Sequence, residues 1–212
     1  MVEPTVRQPP STPDVFYPIV PDITWLKRIV PLGARTVQLR LKDASQADVR
    51  AQIGEGIAVC NAHGCQFIVN DYWQAAIDLG ATDLHLGQED LADANLAAIR
   101  QAGIRLGVST HTPEELETAL TANADSIALG PIYETKLKAM PYGTQGLPRI
   151  TQWKERIGDV PLIAIGGITP ERAPGVLTHG ADSVAVITDF FMADDPEARI
   201  GQWLDWAAQH RN

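Results

Sequence analysis

Gln38, Arg40 and Lys42 alternate with Val37, Leu39 and Leu41, and a two-residue period places the three polar side chains on one face of a strand. Two cations and an amide converging in this way suit an anionic ligand, because a cation turned toward a low-dielectric interior is costly unless an anion meets it. An edge strand with a solvated face, or interior salt bridges, would produce the same pattern. Further along, Asn70-Asp71 follows Phe67-Ile68-Val69, and Gly87-Gln88-Glu89-Asp90 follows Leu84-His85-Leu86. Taken singly, each reads as the start of a helix, since Asn and Asp are favoured N-cap residues and acidic side chains are favoured in the first turn. If the two preceding strands are neighbours, Asp71 and Asp90 emerge side by side. Two carboxylates with bound water can hold Mg2+, which takes few protein ligands and shares substrate phosphate.

Other segments invite the same scrutiny. Gly130 to Gly146 is a long connection containing Thr135 and Lys138, and its Pro, Tyr and Met content favours a functional lid over a disordered insert. Gly166-Gly167 and Ile187-Thr188 each follow an apolar run, where barrel enzymes bind phosphate through backbone N–H groups, although Gly-Gly also suits a plain tight turn. Cys60, His63 and Cys65 fall at a helix end without a second ligand pair, which fits a buried thiol pair and a histidine at a helix C-terminus better than a metal site. His85 and His111 have no evident nucleophile partner, so the sequence does not support a hydrolase triad.

The elements that would carry these residues alternate regularly. Expected strands are Phe16–Val20, Thr36–Leu41, Gln66–Val69, Asp83–Leu86, Arg105–Val108, Ser126–Leu129, Leu162–Ile165 and Ser183–Ile187, with segments of helical spacing between them. Ser45 opens a helix over Gln46–Ala62, a further helix covers Tyr72–Leu79, and Thr112-Pro113 and Thr169-Pro170 each open another. Gly33, Gly64, Gly80, Gly103 and Gly180 each stand shortly before a strand, as C-terminal caps do. Eight βα units predict an α/β chain with a single-domain (βα)8 TIM barrel, whose strand-to-helix turns hold the polar and glycine-rich residues. A doubly wound open sheet is the competing architecture, but Val20-Pro21-Asp22 supplies no glycine-rich fingerprint after the first strand. Pro4, Pro9, Pro10 and Pro13 make residues 1–14 an expected flexible N-terminal tail, leaving 15–212 as the barrel.

Composition narrows the partners. The 212 residues are 45% apolar and 20% charged, ordinary globular proportions that exclude a disordered or coiled-coil chain. Seventeen basic against 26 acidic residues leave a net charge of −9, which disfavours nucleic acid and anionic membrane surfaces. There is no apolar run of the ~18 residues that a membrane helix needs. With two cysteines and no signal-like leader, the expected location is cytoplasmic. Oligomeric state stays open, a homo-oligomer included.

Six strings resemble, in order, the motifs of the thiamine phosphate synthase family: Gln38-Leu39-Arg40-Leu41-Lys42, Asn70-Asp71-Tyr72-Trp73, His85-Leu86-Gly87-Gln88-Glu89-Asp90, Leu106-Gly107-Val108-Ser109-Thr110-His111, Gly130-Pro131-Ile132-Tyr133 and Ala164-Ile165-Gly166-Gly167-Ile168. The resemblance runs from about Phe16 to the C-terminus. It implies a transferase of thiamine biosynthesis that joins 4-amino-2-methyl-5-hydroxymethylpyrimidine diphosphate to a thiazole phosphate and releases diphosphate. By motif position, the segment Gln38, Leu39, Arg40, Leu41 and Lys42, together with Asn70, Ser109 and Lys138, would bind the pyrimidine diphosphate. Arg40, Lys42, Ser109 and Lys138 would act in catalysis. Asp71 and Asp90 would bind the Mg2+ cofactor, and Thr135, Gly167, Ile187 and Thr188 would hold the thiazole phosphate. The chain departs from the family's usual pattern at Leu41, where Glu is usual, at Thr188, where Ser is frequent, and at Leu137, where a hydroxyl is replaced beside the extra cation Lys136. A thiazole tautomerase of the same barrel group and a non-catalytic sensor of phosphate metabolites are the rival readings. Neither needs the Asp71/Asp90 pair or the Arg40/Lys42/Lys138 cluster.

Overall fold

A computed structural model describes residues 12–135 and 143–211. Eight parallel strands, β1 (Phe16–Val20), β2 (Thr36–Leu39), β3 (Gln66–Asn70), β4 (Asp83–Leu86), β5 (Arg105–Thr110), β6 (Ser126–Leu129), β7 (Leu162–Ile165) and β8 (Ser183–Val186), pair in sequence order and close into a barrel through β1 and β8. Around them run α1 (Ile23–Ile29), α2 (Gln46–His63), α3 (Trp73–Leu79), α4 (Gln88–Asp93), α5 (Leu96–Gln101), α6 (Pro113–Thr121), α7 (Gly146–Ile157), α8 (Ala173–Thr178), α9 (Thr188–Phe191) and α10 (Pro196–His210). The expected α/β barrel is therefore the observed one.

Strand alternation separates two apolar layers. Tyr17, Ile19, Ile68, Ala128, Ile163 and Ala185 form a small cluster inside the barrel. Val37, Leu39, Val69, Leu84, Leu86, Val108, Leu129 and Val186 belong to the large cluster between sheet and helices. The inward positions not taken by the small cluster carry mostly polar residues. Near the N-terminal ends of the strands these positions form a buried chain, in which Thr36 Oγ1 donates to Gln66 Oε1, Gln66 Nε2 donates to Asp83 and Arg105 pairs with Asp83 at 2.6 Å. Satisfying each of these groups is what allows them to be buried.

Side-chain caps form at the expected Ser45 and Thr112 and also at Asp22, Asn95 and Asp195, each accepting from a backbone N–H in the first turn of α2, α6, α1, α5 and α10 respectively. Gly64 and Gly80 end α2 and α3 with φ of 63° and 71°, a conformation that costs glycine little. Several boundaries differ from expectation: β3, β5 and α2 run on to Asn70, Thr110 and His63, one or two residues past their expected ends. β2 stops at Leu39, because its pairing with β1 and β3 ends there, and so Arg40 to Lys42 lie beyond the sheet. β8 stops at Val186, and Ile187 caps α9. α3 begins at Trp73 rather than Tyr72, since Asp71 takes a left-handed φ of 67° that no helix continues. Thr169-Pro170 forms a turn, with Thr169 O accepting from Arg172 and Ala173, and α8 starts only at Ala173.

Of the proline-rich segment, residues 12–14 are described, and Asp14 is firmly held. Its carboxylate accepts a two-pronged contact from Arg211, its N–H donates to Thr36 Oγ1 and its carbonyl accepts from Ser183 Oγ.

Candidate active site

The C-terminal ends of β2 to β5 bring together Arg40, Asn70, Asp71, His85, Asp90 and Ser109. Pairing of β3 with β4 aligns Asn70 with His85, and Asp71 N donates to His85 O at 2.9 Å, which carries Asp71 to the rim. Asp90 reaches the same rim from the first turn of α4. The two carboxylates share a cleft with Tyr72, Trp73, Gln74 and Asp93. Burial, then the charge of Asp90, pushes the Asp71 carboxyl up to about 6, while the nearby Arg40 cation pulls it down.

The simple capping reading of Asn70-Asp71 fails, because Asn70 ends β3 and α3 has no side-chain cap. Instead, Asn70 is buried beside the Asp71 carboxylate, its Nδ2 without a hydrogen bond of good geometry among the described residues. A donor left in that state in a low-dielectric wall calls for an acceptor from a ligand or from water. A non-glycine residue in the left-handed region next to it, with two carboxylates pressed together, is backbone strain of the kind that collects at functional sites. The two carboxylates fit a hard divalent cation, and the Asn70 donor fits an anion accompanying it. Among the described residues no group of three or more His, Cys, Asp or Glu side chains could hold a metal, and Mg2+ needs only one or two carboxylates plus water and phosphate.

Gln38 points into the barrel, where its Nε2 donates to Tyr17 OH at 2.7 Å. Lys42 is exposed beyond the end of β2. Leu39 and Leu41 turn outward into the helix-facing core, on the face opposite the polar set. Ser109, half-buried near the end of β5, has its Oγ 2.8 Å from His85 Nε2, and its carbonyl accepts from Gln88 Nε2 at 2.7 Å. His85 thus has a hydroxyl partner, contrary to the sequence reading. No triad follows, because among the described residues no carboxylate hydrogen-bonds to His85 behind the serine; burial, then the Arg40 charge, lowers His85 to about 4. His85, Tyr17 and Gln88 are the residues that sequence reasoning missed. The alternation that singled out Gln38 and Arg40 would have pointed Tyr17 and His85 inward as well.

On the far side of the mouth, the long connection after β6 starts by extending the sheet: Ile132 N and Tyr133 N donate to Ile165 O and Gly166 O. It returns through Gln145 N and Gly146 N to Pro131 O and Ile132 O, so both ends are tied at one base. Thr135 lies beside that base, and Lys138, with Lys136 and Leu137, falls outside the described residues. Gly167, at φ 64°, approaches so closely that a Cβ would lie 2.4 Å from Glu134 O. Ile187 and Thr188 open α9, which is fixed by Asp189 accepting from Arg199 and from Trp203 Nε1. The thiols of Cys60 and Cys65 are buried, with Cys60 pushed up chiefly by its bond to Cys65, and His63 is exposed at the end of α2.

A closed parallel barrel with acidic, cationic and glycine-lined groups gathered at the C-terminal ends of its strands defines a phosphate-handling (βα)8 enzyme. Its structural neighbours agree on the fold: thiamine phosphate pyrophosphorylase from Pyrococcus furiosus superposes with a TM-score of 0.79 at 24% identity, covering 92% of this chain and 95% of that one. Residues 16–190 match the family model described as thiamine monophosphate synthase, and the chain belongs to that family. It is 54% identical over 94% of its length to thiamine-phosphate synthase of Rhizobium etli, covering 98% of that protein, and 44% identical to the enzyme of Enterobacter sp. (strain 638), with 91% of each chain covered. The activity is that of a thiamine-phosphate synthase, a transferase of thiamine biosynthesis.

Proposed function

We propose that this mouth binds 4-amino-2-methyl-5-hydroxymethylpyrimidine diphosphate beside a thiazole phosphate and joins them by Mg2+-assisted dissociative substitution. The observation that carries the reading is the Asp71/Asp90 pair next to Arg40, opposite charges held at one rim although the two carboxylates repel each other. A tautomerase or a sensor has no use for that pair.

The C–O bond at the pyrimidine methylene breaks, the electron pair leaves with the diphosphate, and the carbon left behind shares its positive charge with the 4-amino group. The thiazole nitrogen then attacks that carbon with its own lone pair, so no general base is required, consistent with a His85 that stays neutral at pH 7. Arg40 and Lys42, with Lys138, meet the charge that grows on the leaving group, where fixed charges act most strongly in a water-poor site. Asn70 Nδ2, without a well-formed hydrogen bond among the described residues, donates to the pyrimidine diphosphate, and Gln38 closes the barrel floor beneath the ring with Tyr17. Asp71 and Asp90 would hold Mg2+, which supplies neutralisation of the diphosphate. Thr135, Gly167, Ile187 and Thr188 receive the thiazole phosphate, supported by the place of β7 and β8 in barrels of this kind.

A cytoplasmic location belongs to the same proposal; among the described residues no helix is long and apolar enough to cross a membrane. The test is thiamine phosphate formation from the two substrates with Mg2+ or with EDTA, read as fluorescent thiochrome after oxidation. Product only with metal is expected. Equal product in EDTA would overturn the metal-assisted scheme, and no product would overturn the substrates.

A further inference from the structure

His85 has no part in this scheme, yet it lies one hydrogen bond from Ser109, which the resemblance sets against the pyrimidine diphosphate. β4 turns Asp83 and His85 inward, and the register His85↔Gly107 sets the imidazole against a residue with no side chain. That absence is required, because a Cβ on Gly107 would lie 2.8 Å from His85 Nδ1. The ring thus occupies the space left by glycine, and its Nε2 comes to 2.8 Å from Ser109 Oγ. Gln88 Nε2 holds the Ser109 carbonyl at the same time, so both main chain and hydroxyl of this serine are fixed before any ligand arrives.

A serine hydroxyl has one proton to give. A bare ring nitrogen would take it and leave oxygen lone pairs facing the mouth, where they would repel an anion. A ring N–H would instead fill one lone pair and free the proton to point outward. The rim carries Arg40, with Lys42 just beyond β2, and an Asn70 donor that has no well-formed hydrogen bond among the described residues, all suited to phosphate oxygens. We infer that His85 is a positioning residue whose Nε2–H donates to Ser109 Oγ and so commits the Ser109 proton to an oxygen of the departing diphosphate. This rests on the pyrimidine diphosphate reading of the mouth.

Unsubstituted protein is assayed first: failure to form thiamine phosphate overturns the substrate reading and is distinct from failure of the present one. Given turnover, His85→Leu lowers kcat about tenfold with the KM for thiazole phosphate unchanged, the cost of misdirecting one hydrogen bond that matters in the transition state. His85→Gln, which can offer a donor near the position of Nε2, regains most of that loss. In a Ser109→Ala background His85→Leu costs nothing further. Losses that multiply in the double variant, or a Gln variant no better than Leu at matched melting temperature, overturn the inference. Should His85→Leu fail to fold, the tautomer is read in the unsubstituted protein by long-range 1H–15N correlation of its ring. A proton on Nε2 is expected, and a proton on Nδ1 overturns the assignment.

Discussion

Asp71 shows how one residue carries cost and function together. Its backbone is left-handed, and burial first, with the Asp90 charge second, pushes its carboxyl up to about 6. Asp71→Ala or Asp90→Ala is expected to reduce Mg2+-dependent turnover on the order of 100-fold or more, and near-normal rates in either would remove both carboxylates from the metal site. A proton competes with the metal for Asp71, so Mg2+ affinity is expected to fall about tenfold per pH unit as pH drops below about 6. Stability runs the other way. Between the ordinary carboxylate range and about 6, the native state holds a proton that the unfolded chain has released, so metal-free stability declines as pH rises through that window. Asp71→Asn is therefore expected to stabilise the EDTA-treated protein at pH 7 by ~1 kcal/mol after allowance for solvent screening, about 2–4 °C in melting temperature. A lowered melting temperature would contradict the origin assigned to this shift.

The base of the loop after β6 and the turn after β7 depend on each other. Gly166 O accepts from Tyr133, while Gly167 packs against Glu134 O and is further tied down by Arg172 donating to its carbonyl at 2.7 Å. Gly167→Ala combines a positive φ with a collision against backbone, and a loss of about 1–3 kcal/mol is expected, with a raised KM for thiazole phosphate and little change in that for the pyrimidine diphosphate. Equal changes in both KM values would show that Gly167 serves the barrel and not this subsite. Gly-Gly was legible in the sequence as a turn or a phosphate site, but its close approach to Glu134 was not, because the two are distant in sequence and meet only when β6 and β7 pair. The limits of β2 were hidden for a similar reason. Alternation continues from Val37 to Lys42, whereas the ladder ends at Leu39, opposite the last residue of β1.

Barrel closure joins the chain's two ends. β1 pairs with β8, and Asp14, just before β1, is gripped by Arg211, just after α10. The Asp14 side chain is only 8% exposed, so Arg211→Ala strands a largely desolvated carboxylate. A loss of about 1–3 kcal/mol in denaturant unfolding is expected, with turnover at saturating substrate preserved in the folded fraction. An unchanged midpoint would show that the clamp does not contribute to closure. Periodicity by itself determined the eight strands, the face on which Gln38 and Arg40 lie and the caps of several helices, because these depend on residues a few positions apart. Tertiary structure alone decided that Asp71 and Asp90 press together, that Asn70 is buried beside them and that His85 holds Ser109. Each of those contacts joins neighbouring strands or their turns, and register between strands is set by the closed barrel and not by any one segment.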